Sequence, residues 1–182
     1  MQKLTLLSML AVTIFMVTAC GSSTPKEVVI ENRFKVMIPG HLSKTTTLNG
    51  DAILQYQHIF KEIYIIIIDD EKETLHQSLI VNDLTEKYTL SFDGFFNLLS
   101  NEDSDAFITI EDRNKVKDEK INGLQAKIFS NTRTINNTNV YYTTALVEGK
   151  DHYYQIIAWT TAKNESKNKK ALSDMVYSFS EL

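Results

Sequence analysis

The chain has 182 residues, of which 43% are hydrophobic, and this suits one domain with a sizeable core. The formal net charge of −4 argues against a nucleic-acid binder, because the phosphate backbone has to be met by a basic patch. The single cysteine excludes an intrachain disulfide and a cysteine-based zinc cluster.

The start of the chain is expected to be a lipoprotein signal peptide, 1–19. An apolar stretch, 4–17, follows a start whose only positive side chain is Lys3, and it is too short for a permanent membrane span. Residues 17–20 (VTAC) then resemble a bacterial lipobox, which implies cleavage before Cys20 and its acylation, with palmitate among the expected chains. The alternative is an ordinary secretory signal cut after Ala19, which would leave a free thiol.

The residues after the signal are expected to tether a folded domain to the membrane. The segment 20–27 contains the lipidated cysteine and is otherwise mostly small and polar, and the domain is expected over 28–182. Gly21 stands where some bacteria place the aspartate that marks inner-membrane retention. The outer membrane is therefore the expected location.

The first part of the domain is predicted to consist of strands and one short helix. Alternating apolar residues predict strands over 28–38 and 52–60. The run 63–68 (IYIIII) is apolar at every position, so this strand is expected to be central and covered on both faces. The two aspartates that follow are expected to end it, and a short helix is predicted over 73–81.

A stronger helix is predicted over 90–100. Apolar residues recur there at i, i+3, i+4 and i+7 and form one stripe, which consists of Phe92, Phe95, Phe96 and Leu99. We expect Phe95 and Phe96 to pack this helix on the central strand, opposite Ile65 or Ile67.

The second half is predicted to be richer in strands and to end in a helix. Strands are expected over 107–111, 116–121, 124–134, 140–148 and 152–160. Asn122-Gly123 predicts a tight turn, because both residues tolerate a positive φ. The apolar spacing over 171–179 predicts the final helix.

Four short stretches carry a family resemblance: 34–39 (FKVMIP), 121–126 (INGLQA), 153–157 (YYQII) and 176–179 (VYSF). With the order of elements, they resemble the PsbP-like α/β/α sandwich family, in its bacterial lipoprotein branch. The resemblance covers about 28–182 and implies an α+β fold, an antiparallel sheet with helices packed on both faces. It also implies a non-catalytic role in docking onto or assembling another protein.

The densest acidic cluster is 69–73 followed by His76. Carboxylates beside an imidazole suit calcium, manganese or zinc, but the spacing matches no known metal loop. The alternative is a set of acidic residues placed near a helix N-terminus, where the macrodipole favours them. We expect no metal and no cofactor to be required.

The richest aromatic group is Tyr141, Tyr142, Tyr153, Tyr154 and Trp159. Adjacent residues of a strand point to opposite faces, so only part of the group can form one platform. The candidate binding surface is Tyr141, Tyr153 and Trp159. The alternative is that these rings pack between the sheet and a helix.

The function expected from the sequence is that of a membrane-anchored bacterial lipoprotein. The spacing of polar and charged residues in the chain matches no catalytic motif. We therefore expect a non-enzymatic module that binds or helps to assemble another envelope protein. The alternative is a lipoprotein that binds a small molecule or a metal. The protein-binding hypothesis requires an exposed apolar or aromatic patch, and the small-molecule or metal hypothesis requires a concave pocket with convergent polar groups.

Overall fold

The computed structural model describes residues 24–100 and 108–182. The strands are β1 (Pro25–Ile30), β2 (Phe34–Pro39), β3 (Ser43–Lys44), β4 (Leu54–His58), β5 (Ile63–Glu71), β6 (Lys117–Ile121), β7 (Leu124–Ile135), β8 (Thr138–Glu148), β9 (His152–Thr161) and β10 (Ser180–Glu181). The helices are α1 (Lys72–Val81), α2 (Phe92–Leu99), α3 (Ile110–Arg113) and α4 (Glu165–Tyr177). Two 3₁₀ turns cover Ile59–Lys61 and Ala162–Asn164. Cys20 lies outside the described residues, so the predictions on the signal peptide and the anchor stay predictions.

Two antiparallel sheets organise these elements. The main sheet has seven strands in the order β3-β4-β5-β9-β8-β7-β6, and the small sheet has three in the order β1-β2-β10. The run 63–68 lies in β5, which pairs with β4 on one side and β9 on the other. The predicted internal position of this strand is therefore confirmed.

Helices cover the main sheet from both sides. One face, here called the α4 face, carries Ile65 and Tyr154 and packs on Leu172 of α4 and on Phe34 of the small sheet. The opposite face, here called the α2 face, carries Tyr153 and packs on Phe92 and Phe95 of α2. This arrangement confirms the predicted α+β class with helices on both faces of an antiparallel sheet.

The packing of α2 differs from the prediction. Phe95 stacks on Tyr153 with 4.6 Å between ring centroids, whereas Ile65 and Ile67 are buried on the α4 face. Side chains alternate along a strand, so the odd-numbered isoleucines of β5 point away from α2. Phe96 is only half-buried at the edge of the α2 cluster.

The strand predicted over 28–38 is wrong in two respects. The segment predicted as one strand over 28–38 is a hairpin, because Asn32 adopts a left-handed φ of 58° and reverses the chain between β1 and β2. β1 begins at Pro25, within the segment assigned to the tether. Asparagine tolerates this conformation better than most residues do.

The predicted end of β5 is also wrong, because the strand continues through both aspartates to Glu71. The strand can continue because the two carboxylates have partners. Asp69 accepts a 2.7 Å hydrogen bond from Arg33, and Asp70 accepts a 3.0 Å hydrogen bond from Gln155 of the neighbouring strand. A buried or half-buried carboxylate is tolerated when it is paired in this way.

Two predictions in the second half are corrected as well. The strand predicted over 107–111 is wrong, because helix α3 (Ile110–Arg113) begins within it. Thr109 and Asp112 start this helix with a reciprocal capping box. Residue 107 lies outside the described part. The final helix begins at Glu165, earlier than the predicted 171. The tight turn at Asn122-Gly123 is confirmed, with φ values of 47° and 91°.

The strand registers define two ends of the molecule. At one end, here called the Pro25 end, lie Pro25 opposite Pro39, the Ile59–Lys61 turn, and Thr161 opposite Val140. At the opposite end, Glu71 pairs with His152 and Glu181 pairs with Phe34.

The packing of α2 predicts a large loss of stability on truncation of Phe95. Phe95 is 3% exposed and Phe60 is 95% exposed. Phe95→Ala is expected to lower the free energy of unfolding by about 3–5 kcal/mol, because it leaves a cavity beside Tyr153. The matched variant Phe60→Ala is expected to change it by less than about 0.5 kcal/mol. Urea unfolding followed by circular dichroism measures both, and equal effects would contradict this core.

Candidate binding surface

The structure separates the three aromatic residues that were predicted to form a surface. Tyr141 is 5% exposed on the α4 face, with the Lys169 ammonium of α4 at 5.2 Å from its ring centroid. Tyr153 is 1% exposed on the α2 face, where it stacks on Phe92 and Phe95. Both rings pack between sheet and helix, so they are not exposed contacts and that part of the prediction is wrong.

Trp159 behaves differently, because it is only half-buried and lies in a group of rings on the α2 face. Its ring stacks on Tyr64 with 5.2 Å between centroids and 11° between planes. On the other side, Tyr142 approaches it at 6.1 Å. These three half-buried rings, Tyr64, Trp159 and Tyr142, are here called the aromatic strip.

Strand register brings the strip together. Trp159 of β9 lies directly opposite Tyr64 of β5 and directly opposite Tyr142 of β8. Residues in such positions have Cβ atoms about 4.5–5.5 Å apart, which allows rings to stack across strands. The row continues to Gln57 of β4 and Asn131 of β7, so polar amides flank the rings on both sides.

Helix α2 packs on the same face as the aromatic strip but at a different position along the strands. α2 lies over Tyr153, which is six residues from Trp159, or about 20 Å along β9. Between Tyr153 and Trp159, this face of the sheet carries buried apolar side chains, among them Ile66 and Ile157, each 5% exposed. The strip therefore stands on a rigid base and has no α2 side chain stacked on it among the described contacts.

Burial raises the pKa of both tyrosines of the strip. It raises the pKa of the Tyr64 phenol, to which the nearby Glu62 carboxylate also contributes. Burial likewise raises the pKa of Tyr142, although the positive charge of Arg133 acts in the opposite direction.

A buried carboxylate fixes one end of the row. Asp112 of α3 accepts hydrogen bonds from Asn131 at 2.8 Å and from Arg133 at 2.9 Å. Burial alone would raise the pKa of Asp112, but the hydrogen bonds from Thr109, Arg133 and Asn131 outweigh burial and hold it below its usual value. The charged carboxylate thus holds the Asn131 amide beside Tyr142.

Two polar atoms near the strip have unused hydrogen-bonding capacity. Within 24–100 and 108–182, Asn131 Oδ1 and Thr144 Oγ1 are buried and have no hydrogen-bond partner. Asn131 is opposite Tyr142, and Thr144 is two residues along β8 from it. Unpaired buried polar atoms cost free energy, so hydrogen-bonding partners for these two atoms would stabilise this part of the sheet.

The acidic cluster does not converge on one point. Asp69 pairs with Arg33, which also contacts His152, while Asp70 pairs with Gln155. His76 lies 3.4 Å from the hydroxyl of Tyr153 instead. Among the described residues no group of three or more His, Cys, Asp or Glu side chains is arranged to hold a metal ion.

A groove on the other side of the molecule runs between α4 and strand β7. Its volume is about 780 Å³, and four lysines line it: Lys115, Lys117, Lys169 and Lys170. Glu165 pairs with Lys169 at 3.1 Å, and Asp174 pairs with Lys170 at 2.6 Å. These pairs balance two of the four positive charges, and the Glu119 carboxylate also lines the groove.

The predicted surface included Trp159 but left out its two partners, Tyr142, which was named only in the wider aromatic group, and Tyr64. Tyr142 follows from the hairpin turn near 149–151, because a register that pairs Glu148 with Tyr153 also pairs Tyr142 with Trp159. Tyr64 has no such local signal. Its position depends on the pairing of β5 with β9, which are far apart in the sequence.

Comparisons with known proteins bear on the fold. No family model matches the chain, and no curated protein matches it significantly. A solved protein of Bacteroides thetaiotaomicron has 8% identity and a TM-score of 0.51; the match covers 86% of this chain and 48% of that protein, so the chain spans about half its length.

Two further solved structures are similar to this chain at lower TM-scores. Cyanobacterial PsbP from Synechocystis has 8% identity and a TM-score of 0.42, covering 90% of this chain and 96% of that protein. The Ran-binding protein Mog1p of Saccharomyces cerevisiae has 14% identity and a TM-score of 0.42, covering 87% and 96%. At these identities the likeness concerns the fold alone. Separately, none of the described helices is both long and apolar enough to cross a membrane.

The network around Asp112 predicts a pH-dependent contribution to stability. Because the pKa of Asp112 is lower in the folded protein than in the unfolded chain, its contribution is present above about pH 4 and is lost as the pH falls through the folded pKa. Asp112→Asn is expected to cost about 1–3 kcal/mol at pH 7, and the difference from wild type is expected to shrink below about pH 4.

Urea unfolding of wild type and variant between pH 3 and pH 7 measures this difference. Asp118→Asn is the control, because Asp118 is 81% exposed in its pair with Lys127 and such pairs contribute little. A cost for Asp112→Asn that does not change with pH would contradict the role of the charge.

Proposed function

We propose that the protein is a lipid-anchored, non-enzymatic domain of the bacterial cell envelope that binds another envelope protein through the aromatic strip. The observation that carries the proposal is the row Tyr64, Trp159 and Tyr142, stacked and half-exposed on three adjacent strands. Stacked rings on a rigid sheet favour binding, because little conformational freedom remains to be lost when a partner covers them.

The chemistry of the strip suits a protein partner. Tryptophan and tyrosine are enriched among the residues that dominate protein interfaces, since they combine a large apolar area with a polar edge. The half-buried amide of Gln57 supplies a polar group at the β4 margin of the rings, whereas Asn131 at the β7 margin is buried and bonded to Asp112. An aromatic centre with a polar group at its margin matches the usual anatomy of a protein interface.

The anchor is proposed from the lipobox and from the position of the chain's first described residues. Three residues lie between Cys20 and Thr24, and an extended chain over these four residue steps spans at most about 14 Å. A domain held so close to a membrane meets membrane-bound partners at a high effective concentration, so a modest intrinsic affinity suffices. Gly21 after the cysteine supports the outer membrane over the inner membrane as the location.

A second candidate function is the binding of a small anionic molecule in the groove beside α4. The groove's lysines favour it, but Glu165 and Asp174 already neutralise two of them. Glu119 also lines the groove, and its carboxylate disfavours an anionic ligand there. The strip therefore supports the proposed function better than the groove supports this alternative.

Photo-crosslinking in intact cells tests the proposed function. A benzophenone amino acid replaces Trp159 in one variant and Tyr177 in the control, because Tyr177 is 41% exposed and lies on α4, away from the strip. We expect a discrete protein adduct from position 159 only, identified by mass spectrometry. Equal adducts at both positions, or an adduct from position 177 alone, would contradict the strip as the binding surface.

A further inference from the structure

We propose that the Pro25 end of the domain docks on the lipid bilayer and that Ile59 and Phe60 insert into its interfacial region. This second attachment rests on the proposed anchoring through Cys20 and deepens it, since it fixes how the domain stands on the membrane. The segment Ile59–Lys61 is here called the tip.

The tip exposes two consecutive large apolar side chains. Phe60 is 95% exposed and Ile59 is 63% exposed, in a connection of only a few residues between β4 and β5. Isolated exposed apolar residues are common, but two adjacent ones at the very end of a sheet form a protruding wedge. Such a wedge matches the apolar residues that interfacial membrane proteins bury among lipid headgroups.

The tip is preformed. It is a 3₁₀ turn whose start is capped by His58, since the His58 ring accepts a hydrogen bond of 3.1 Å from the backbone N–H of Lys61. Glu62 closes the turn in the left-handed region at φ 53°. The Glu62 carboxylate accepts hydrogen bonds from Thr161 and Asn164, so the turn is tied to the end of β9 and to the turn before α4. A fixed turn presents its apolar side chains without an ordering cost.

The chain leaves the domain towards Cys20 at this same end. Pro25 pairs with Pro39, and Leu42 donates a backbone hydrogen bond of 3.0 Å to the Pro39 carbonyl. The ring of His41, just before Leu42, lies 5.2 Å from that of His58, and the His58 ring lies 6.4 Å from that of Phe60. With about 14 Å of chain between Cys20 and Thr24, an acylated Cys20 and the tip would meet the same bilayer surface.

Lysines surround the tip. Lys61 belongs to it, Lys26 lies over the ring of Tyr56 at 5.1 Å, and Lys44 pairs with Tyr56 across strands β3 and β4. Lys163 is 71% exposed and pairs with Glu62 at 3.1 Å. The net charge of the whole chain is −4, yet this end carries four lysines, and the nearby carboxylates Glu62 and Glu165 are each engaged in an ion pair with a lysine. Such local positive charge favours anionic lipid headgroups beside an apolar wedge.

A fluorescent reporter at the tip tests the proposal in the full, acylated chain. Trp159 is the only tryptophan, so Trp159→Phe gives a background without indole emission. Phe60→Trp in that background reports on the tip. Leu182→Trp is the matched control, because Leu182 is 61% exposed and hydrogen-bonds through its backbone to Arg33 at the opposite end. The proteins are reconstituted in phosphatidylethanolamine–phosphatidylglycerol vesicles that carry brominated acyl chains.

The indole at position 60 is expected to emit at shorter wavelength and to be quenched by bromine about 5–10 Å below the headgroup boundary. The indole at position 182 is expected to be quenched by aqueous acrylamide only. Protein that floats with the vesicles while position 60 is as accessible to acrylamide as position 182 would overturn the inserted tip and leave the anchor intact.

Acylation-dependent flotation is checked with Cys20→Ala. Wild-type protein that fails to float would contradict both the anchor and the tip.

Discussion

The ladder between β5 and β9 is the constraint on which the rest of the structure depends. It pairs nine residues of each strand, from Ile63 opposite Thr160 to Glu71 opposite His152. Both strands bury side chains on both faces, so each layer of helices has an apolar surface to cover. Full burial of an isoleucine contributes about 1.5–3 kcal/mol relative to exposure, and the ladder places several of them between the layers.

The same ladder connects the fold to the proposed function. It sets Tyr64 beside Trp159, and one residue further it ends at Ile63, directly after the turn that carries Phe60. The strip and the tip are therefore rigidly connected neighbours at the Pro25 end. A domain docked by that end would hold the strip close to the bilayer and facing sideways, where it can meet a partner anchored in the same membrane.

Much of the fold could be predicted from the sequence because its signals are local. The two-sided apolarity of 63–68 identified the internal strand, and Asn122-Gly123 marked a hairpin. The hairpin at Asn32 was missed because neither glycine nor proline marks it. The continuation of β5 was missed because it depends on Arg33 and Gln155, which are remote in sequence from the aspartates they pair with.

The candidate surface was only partly predictable, for a similar reason. Alternation along β9 shows that Tyr153 and Trp159 share a face, but not that α2 covers the first and leaves the second half-exposed. Phe60 fitted the strand pattern of 52–60 and was assigned to it. Only the structure shows that the strand ends at His58 and that the phenylalanine protrudes. Burial of a given ring is decided by tertiary packing, which periodicity alone does not encode.

The proposed function requires that the aromatic strip is open in the unbound protein. Trp159 is the only tryptophan, so intrinsic fluorescence reports on the strip directly. Acrylamide quenching of purified wild-type protein, compared with the same protein unfolded in urea, measures how accessible the indole is. A half-exposed, stacked ring predicts clear quenching at an intermediate level. Emission that acrylamide leaves unchanged in the folded protein would show that the strip is covered, and would contradict the proposed function.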